Sequence, residues 1–206
     1  MIIKHYIVGP LMVNCFLIGC EKTGIAAVID PGDEAEMLVR EAGENNLRIE
    51  QIVITHGHAD HIGCAGELQE LTGAKLYIHK EDSEMLTDSA KNFSLYYSTP
   101  LTAPAADHYL EEGVDHKIGE LEFEIRHVPG HSPGSVCLVN DGFAIVGDTV
   151  FAGSIGRTDF PKCSPDLPLK SIRENIFTLP DDCQLFPGHC PGTTVGEEKK
   201  HNPFFN

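Results

Sequence analysis

The chain has 206 residues, and its 31 acidic residues against 15 basic ones give a formal net charge of −16. Such a surface repels polyanions, so general nucleic-acid binding is disfavoured. The apolar fraction of 41% is enough for a sizeable core. No apolar run approaches the roughly 20 residues that span a bilayer. We therefore expect one domain over residues 1–206, without a membrane segment.

The amino terminus and the cysteines both favour a cytoplasmic protein. Residues 1–10 lack the basic segment, long apolar stretch and small-residue cleavage site of an export signal. The seven cysteines are odd in number, and none forms a Cys-x-x-Cys pair. This pattern argues against a disulfide framework and against a closed zinc-finger site.

Strand and helix signals alternate along the chain. Short apolar runs separated by turn residues predict an opening antiparallel meander at residues 2–8, 14–20 and 25–30. Further strands are predicted at 49–55, 75–79, 121–128, 135–139, 143–147 and 183–186. Helices are predicted at 33–45, about 63–71, 81–86, 169–179 and near 196–201. Residues 88–110 lack periodicity, so this segment is either functional or mobile, and a loop is predicted at 149–168. Two sheets with outer helices accommodate this order.

The first concentration of potential metal ligands follows the predicted strand at 49–55. His56, His58, Asp60 and His61 place three imidazoles and a carboxylate within six residues. These side chains are good ligands for a borderline-soft divalent ion. On a regular strand His61 would point away from the other three. A turn after the strand is therefore predicted to distribute the side chains around two ions.

Three more strands are each followed by a potential ligand with a glycine beside it, which lets the backbone turn closely. They end at Pro129-Gly130-His131, Gly147-Asp148 and Pro187-Gly188-His189. A lone loop histidine is usually a surface residue, and a lone aspartate is usually a turn residue or cap. Four such coincidences in one chain favour metal binding over ordinary loop residues. Zinc is the expected metal, with iron or manganese as alternatives.

The motif at residues 55–61, followed at long spacing by His131, Asp148 and His189, resembles the metallo-β-lactamase superfamily over nearly the whole chain. The resemblance implies an α/β fold, the αβ/βα four-layer sandwich, with two mixed β-sheets flanked by helices and the site along one edge. It implies a ligand set of seven residues, in which His56, His58 and His131 bind the first ion, Asp60, His61 and His189 bind the second, and Asp148 bridges them.

Within this superfamily the chain is most similar to short bacterial glyoxalase II-like hydrolases. The likeness lies in residues 153–160 and 193–199 and in Asn202-Pro203-Phe204. Longer glyoxalase II enzymes carry a C-terminal helical region that helps to bind glutathione, whereas this sequence ends at Asn206. The expected activity is thioester hydrolysis with poor discrimination for the glutathione part.

The resemblance also implies a mechanism and a small-molecule thioester substrate such as a hydroxyacylglutathione. Two metals sharing a water lower its pKa towards about 7, and the hydroxide attacks the thioester carbonyl. The first ion stabilises the developing oxyanion. Asp60 and Asp148 are the expected catalytic residues, Asp60 by orienting the hydroxide and Asp148 by bridging the ions.

Three rival functions stay open. An iron-dependent persulfide (sulfur) dioxygenase resembles the chain in the same histidine cluster and in Gly156-Arg157-Thr158-Asp159-Phe160, and it would hold one iron with His56, His131 and Asp148. The segment Pro187-Gly188-His189-Cys190-Pro191 fits the hydrolases better. A nuclease of the superfamily is disfavoured by the acidic surface. A non-catalytic metal-binding module is disfavoured by the complete ligand set.

Other residues give weaker predictions. Arg157 and Asp159 are expected to form an ion pair that supports the metal-bearing loops, with a plain surface turn as the alternative. Phe93, Tyr96 and Tyr97 either line a substrate entrance or pack as ordinary aromatic residues. The remaining histidines are expected to be structural: His5, His79, His108, His116, His127 and His201.

Overall fold

A computed structural model describes residues 1–97, 99–158 and 166–206. The first of its two large sheets has six strands in chain order. These strands are β1 (Ile2–Val8), β2 (Val13–Cys20), β3 (Ile25–Ile29), β4 (Arg48–Val53), β5 (Lys75–His79) and β6 (His108–Leu110). The pairs β1–β2 and β2–β3 are antiparallel, which confirms the predicted meander, and β3 to β6 run parallel.

The second sheet has the strand order β14–β13–β10–β9–β8–β7, and a separate hairpin is formed by β11 and β12. The strands are β7 (His116–Ile118), β8 (Leu121–His127), β9 (Val136–Asn140), β10 (Phe143–Gly147), β11 (Val150–Phe151), β12 (Ser154–Ile155), β13 (Gln184–Pro187) and β14 (Thr193–Thr194). Because β10 and β13 are parallel neighbours, their carboxyl ends lie at the same edge of the sheet.

Seven α-helices connect or flank these strands in the described part of the chain. They are α1 (Ala35–Glu44), α2 (Ala59–Ile62), α3 (Ala65–Thr72), α4 (Ser83–Thr87), α5 (Ser94–Tyr97), α6 (Asp166–Asn175) and α7 (Val195–His201), and a 3₁₀ turn (Lys80–Asp82) precedes α4. None of the helices in these ranges is both long and apolar enough to cross a membrane.

Three buried apolar clusters separate four layers of structure. The first cluster joins α1 and α3 to the first sheet through residues such as Leu38 and Leu68. The second lies between the sheets, where Phe16 of β2 and Phe123 of β8 are buried. The third joins the second sheet to α6 and α7, and it includes Ile172. The predicted sandwich of two mixed sheets flanked by helices is confirmed.

The largest differences from the sequence prediction concern short or interrupted elements. The helix predicted at about 63–71 corresponds to α3 (Ala65–Thr72), and an additional short helix, α2, precedes it within the histidine cluster. The helix predicted at 169–179 instead spans Asp166–Asn175, because Pro168 is tolerated in a first turn, whose N–H groups have no partner within the helix. The segment 88–110 contains α5 and β6, and the loop 149–168 contains β11 and β12. Each of these four elements is too short to show a period.

Candidate metal centre

The potential ligands are brought together by the ends of strands from both sheets. His56 follows β4 of the first sheet, whereas Asp148 and His189 follow the parallel neighbours β10 and β13 of the second. His58 caps the amino end of α2, and this helix carries Asp60 and His61. The last of the seven, His131, lies on the connection between β8 and β9. His56 and His58 lie on the turn predicted after the strand, whereas Asp60 and His61 lie on the short helix α2, which was not predicted.

Three overlapping groups of side chains have ligand atoms within 4.8 Å of one another. The groups are His56, His58 and His131; His56, His61 and Asp148; and Asp60, His61 and His189. All seven residues that the sequence singled out are therefore gathered in one place. Among the described residues, none of the six other histidines belongs to such a group.

Two halves can be distinguished within this centre. In the three-histidine half, His56 Nε2 lies 3.1 Å from His58 Nδ1 and 3.2 Å from His131 Nε2. In the other half, His189 Nε2 lies 3.1 Å from Asp60 Oδ2, and His61 Nε2 lies 3.7 Å from the same oxygen.

Asp148 lies between the halves. Its Oδ2 is 3.5 Å from His131 Nε2 and 3.7 Å from His189 Nε2, while its Oδ1 is 3.5 Å from His61 Nε2. One carboxylate thus faces both halves. The histidines at positions 56, 58, 61 and 131 are buried, whereas Asp60 and His189 are partly exposed. The centre therefore opens to solvent on the side of Asp60 and His189.

Two buried atoms at this centre fit a metal ion. Within the described residues, His61 Nε2 and Asp148 Oδ1 have no hydrogen-bond partner although both are fully buried. Buried polar atoms without a partner are costly and rare in folded proteins. Imidazole nitrogen and carboxylate oxygen are ligand atoms that Zn²⁺ and similar ions prefer. The donor set, together with these two atoms, fits metal binding.

Neighbouring groups set which ring nitrogens face the centre. His131 Nδ1 lies 3.0 Å from the carbonyl oxygen of Arg157, which only accepts, so Nδ1 carries the proton and Nε2 turns inward as an acceptor. His56 Nδ1 lies 3.2 Å from Thr55 Oγ1, and that hydroxyl donates to Asp30 Oδ2 at 2.7 Å. His56 Nδ1 is therefore the donor to Thr55. Such outer hydrogen bonds orient metal-binding imidazoles.

The pKa shifts of the histidines differ between the two halves of the centre. Burial lowers the pKa of His56 and His58 well below the usual range, and neighbouring histidines add to this effect. Burial also opposes protonation of His61, yet Asp60, Asp148 and Asp30 together raise its pKa to about 10. The first two rings are therefore neutral and ready to bind, whereas metal binding at His61 releases a proton.

In the half that contains Asp60 and His189, neighbouring charges also outweigh the effect of burial on the pKa values. Burial disfavours the charged form of Asp60, but His61 and His189 hold its pKa below the usual range. Burial likewise disfavours protonation of His189, but its hydrogen bond to Asp60 and the charge of Asp148 raise its pKa. Asp60 is therefore an anion at neutral pH and remains available as a ligand.

Sequence reasoning missed Asp30, which follows β3 and is buried. Its Oδ2 accepts a hydrogen bond from His61 Nδ1 at 3.0 Å, and its Oδ1 accepts from Thr55 N at 2.8 Å. The segment Asp30-Pro31-Gly32 by itself predicts a turn, and the parallel pairing of β3 with β4 brings Asp30 to the sheet edge that carries the ligand-bearing turn. The apolar run at residues 25–30 predicts that Asp30 ends a strand.

The weaker predictions have mixed outcomes. Phe93 lies edge-on against His58, with ring centroids 5.2 Å apart, and Tyr96 is largely exposed beside it. Tyr97 belongs to α5, but its side chain lies outside the description. Asp159 lies outside the described residues, so its ion pair with Arg157 stays a prediction. The main-chain oxygen of Arg157, however, does contact the centre through His131.

Comparison with curated proteins gives relatives that match almost the whole chain. The hydroxyacylglutathione hydrolase GloC of Haemophilus influenzae is 37% identical over 197 residues, covering 94% of this chain and 92% of the relative. The probable metallo-hydrolase YqgX of Bacillus subtilis is 36% identical and covers 97% of this chain and 95% of the relative.

Several solved structures also match almost the whole chain. BLEG-1, a B3 metallo-beta-lactamase, superposes with a TM-score of 0.94 at 34% identity over the whole of both chains. TTHA1623, in a di-iron-bound form, gives 0.86 at 32% identity and covers 98% of this chain and 99% of the other. ETHE1 from Myxococcus xanthus gives 0.84 at 27% identity, covering 98% and 84%. The family model of the metallo-beta-lactamase superfamily matches residues 8–189, so this chain belongs to that superfamily of metallo-hydrolases.

Proposed function

We propose that the protein is a binuclear metal-dependent hydrolase that cleaves thioesters such as hydroxyacylglutathione. The observation that carries the proposal is the placement of Asp148, whose two oxygens face His61 on one side and His131 and His189 on the other. A single-ion site does not need a carboxylate between two ligand groups. The name of the Haemophilus influenzae relative supports the choice of substrate.

The ligand assignment follows the two halves of the centre. His56, His58 and His131 would hold the first ion, and Asp60, His61 and His189 the second, with Asp148 shared between them. When bound, two such ions supply a polarised substrate carbonyl and a water whose pKa is lowered towards about 7. We propose zinc because the set is rich in imidazole, with iron and manganese as alternatives. The di-iron form of TTHA1623 supports the number of two.

The chain's own groups orient the reactants. Asp60 is an anion on the open side of the centre, where its Oδ2 lies 3.1 Å from His189 Nε2. We propose that Asp60 orients the attacking water in addition to binding metal. Asp148 is proposed as the second catalytic residue because its two oxygens fix the relative position of the halves. Neutral His56 and His58 contribute no positive charge of their own.

Aromatic rings flank the centre on both sides. Phe93 contacts His58, and Phe151 lies 6.5 Å from His189 between ring centroids. A thioester laid across the centre would place its acyl and thiol arms against these rings, which suits an uncharged, partly apolar group near the reacting carbonyl. The substrate is therefore proposed to be a small molecule. The net charge of −16 opposes a nucleic-acid substrate.

We propose the cytoplasm as the site of action. The described residues contain six free cysteines, five of them buried. Reduced thiols are the normal state of cytosolic proteins. A glutathione thioester is also a reactant of a thiol-rich compartment.

The test is a thioester panel assayed on protein of measured metal content. We expect close to two ions per chain, hydrolysis of lactoylglutathione and of other thioesters, loss of turnover on chelation, and recovery with zinc or manganese. A β-lactam is included because BLEG-1 is similar over its whole length. Fully loaded protein that cleaves the β-lactam and no thioester would refute the proposed substrate class.

One specific observation supports a rival function. The similarity to ETHE1 supports an iron-dependent persulfide dioxygenase, in which His56, His131 and Asp148 would hold one iron. The second half of the centre argues for the hydrolase. A one-iron enzyme has no need for Asp60, His61 and His189 to lie within ligand distance of each other.

A further inference from the structure

Two buried polar side chains outside the ligand set form hydrogen bonds to the main chain of ligand-bearing turns, and each contacts different turns. Asp82 lies in the 3₁₀ turn before α4, and Asn14 lies in β2. Both are buried, and Asp82 belongs to none of the potential metal-binding groups found among the described residues.

Asp82 joins the two loops that carry the three-histidine half. Its Oδ2 accepts hydrogen bonds from Gly57 N at 3.0 Å and from Ser132 Oγ at 2.6 Å, and its Oδ1 accepts from Gly134 N at 2.6 Å. Gly57 lies between His56 and His58, and Ser132 follows His131. One carboxylate therefore fixes the separation of the loops that supply all three histidines.

The two loops pack so closely against the Asp82 segment that no space remains for a larger residue at Gly57 or Gly134. A Cβ atom on Gly134 would lie 2.7 Å from Asp82 N and 2.8 Å from Asp82 Cγ. On Gly57 it would lie 3.1 Å from Asp82 O and 2.5 Å from Met85 Cβ. Glycine is thus required at both contacts, and the two loops close directly onto the Asp82 segment.

Asn14 holds the turn that carries His189. Its Nδ2 donates to the carbonyl oxygens of Pro187 at 2.9 Å and Cys190 at 2.8 Å, and its main-chain N donates to Gly188 O at 2.7 Å. His5 Nε2 lies 2.7 Å from Asn14 Oδ1 and must be the donor, because Nδ2 is the only donor group of the amide. Cys190 has a φ of 65°, so the held turn contains a non-glycine residue in the left-handed region.

We propose that Asp82 is a positioning residue for His56, His58 and His131, and that Asn14 is a positioning residue for His189, so that the two ions depend on separate supports. This inference rests on the ligand assignment of the proposed function. Removing an outer partner of a metal-binding imidazole costs about 10- to 100-fold in metal affinity. The cost should therefore fall on a different ion in each variant.

The paired variants are Asp82→Asn and Asn14→Asp, which preserve side-chain size. In Asp82→Asn, one oxygen becomes an NH₂ group that faces main-chain N–H or hydroxyl donors. In Asn14→Asp, an oxygen replaces the donor that faced two carbonyl oxygens. Metal-free protein is titrated with zinc in competition with a chromophoric chelator. Imidazole NMR signals of His131 and His189 show which half fills.

Asp82→Asn should weaken zinc binding at the three-histidine half about 10- to 100-fold and leave the His189 half within about threefold. Asn14→Asp should produce the reverse pattern. The matched control is Glu198→Gln, another buried carboxylate, which accepts from Gly153 N, Thr193 Oγ1 and Asn202 Nδ2. It should lower the free energy of unfolding without changing either zinc constant.

Milder variants serve if a paired variant does not fold, as judged by circular dichroism of the metal-free protein. Ser132→Ala removes one hydrogen bond to Asp82, and His5→Ala removes the one to Asn14 Oδ1. Each should show part of the selective effect. Equal weakening of both ions, or of neither, overturns the inference while the proposed function stands. Failure of the unsubstituted protein to bind two zinc ions overturns both.

Discussion

Asp30 and His61 are joined by a hydrogen bond of 3.0 Å between two buried side chains, Oδ2 of the carboxylate and Nδ1 of the imidazole. The same carboxylate accepts from the hydroxyl and the main-chain N of Thr55, the residue before His56. One aspartate immediately after β3 thus orients His61 directly and His56 through Thr55. The Nε2 atoms of both rings are directed at the centre.

Asp30→Asn should lower both thioester kcat/KM and zinc affinity by about 10- to 100-fold. An amide has one acceptor oxygen where the carboxylate has two, so at least one donor among His61 and Thr55 loses its partner. Steady-state kinetics and zinc competition measure the two effects. Asp33→Asn is the control, because Asp33 is exposed and accepts from Glu34 N. Unchanged zinc affinity in Asp30→Asn would contradict this role.

The contrast between Asp30 and the histidines shows what the sequence reveals about this site. His56, His58, Asp60 and His61 lie within six residues of one another, so the sequence alone predicts that they bind metal together. Asp30 acts on residues 25 and 31 positions away, and that separation closes only when β3 and β4 pair in parallel. A single aspartate before Pro31-Gly32 is otherwise indistinguishable from a turn residue.

The same reasoning explains the fold. The meander β1–β2–β3 was predictable because each strand is long enough to show a clear apolar run between turns. In contrast, β6 has three residues and is held by parallel pairing of Tyr77 with His108 and its neighbours. Such pairing depends on residues that are distant in the sequence, so no local pattern predicts it. Asp82 and Asn14 were missed for this reason as well.

Gly188→Ala should abolish most activity. A Cβ atom at this position would lie 2.3 Å from Asp148 Oδ1 and 2.6 Å from His61 Cε1, so both side chains would have to move. A displacement of about 1 Å at a catalytic group costs about 100-fold in rate. Thioester kinetics and metal content provide the measurement.

Gly43→Ala is the control for this glycine substitution. Gly43 lies in α1, and apart from the adjacent backbone of its own helix no atom of the described residues lies within 4 Å of the position that its Cβ would take. Activity should be unchanged, and the free energy of unfolding in urea should rise by up to about 1 kcal/mol because alanine favours helix. Full activity in Gly188→Ala would show that His61 and Asp148 do not need their present positions.

Asp148→Ala should lower the occupancy of both ions and the turnover together. Its oxygens lie between His61, His131 and His189, so its loss removes a ligand from each half. Metal content after exhaustive dialysis and kcat on a thioester are the two measurements. Retention of two ions per chain in the variant would contradict the bridging role.

His116 gives a prediction about stability and pH. Burial lowers the pKa of His116 to about 4, and its ring hydrogen-bonds to Gln51 Oε1 at 2.8 Å. Because the unfolded ring has a pKa of about 6.5, the unfolded chain binds the proton first as the pH falls. The stabilisation is complete above the unfolded pKa and is lost as the pH falls towards the folded one.

Between about pH 7.5 and about pH 5, this group should remove about 2 kcal/mol from the free energy of unfolding. Urea titrations of the unsubstituted protein and of His116→Asn measure it. Other titrating groups contribute to both proteins, so the difference between the two pH dependences isolates His116. Parallel curves for the two proteins would show that the ring protonates equally well in the folded state.

His189→Ala distinguishes the hydrolase from the dioxygenase. His189 Nε2 lies 3.1 Å from Asp60 and 3.7 Å from Asp148, in the half of the centre that a single iron on His56, His131 and Asp148 does not use. A two-ion hydrolase needs that half, so the variant should lose about 100-fold or more in thioester turnover, comparable with losing a major electrostatic contribution. The unsubstituted protein, stripped by chelation, should recover with zinc or manganese and without oxygen.

The decisive comparison pairs thioester kinetics with oxygen uptake on glutathione persulfide, each on protein loaded with zinc, manganese or iron. The hydrolase predicts thioester turnover in anaerobic buffer and a large defect in His189→Ala. The dioxygenase predicts activity with iron alone, consumption of oxygen, and a His189→Ala variant that stays largely active because its three iron ligands are intact. The second result would replace the proposed hydrolase with the oxidative reaction, since only the three-histidine half and Asp148 would then be engaged.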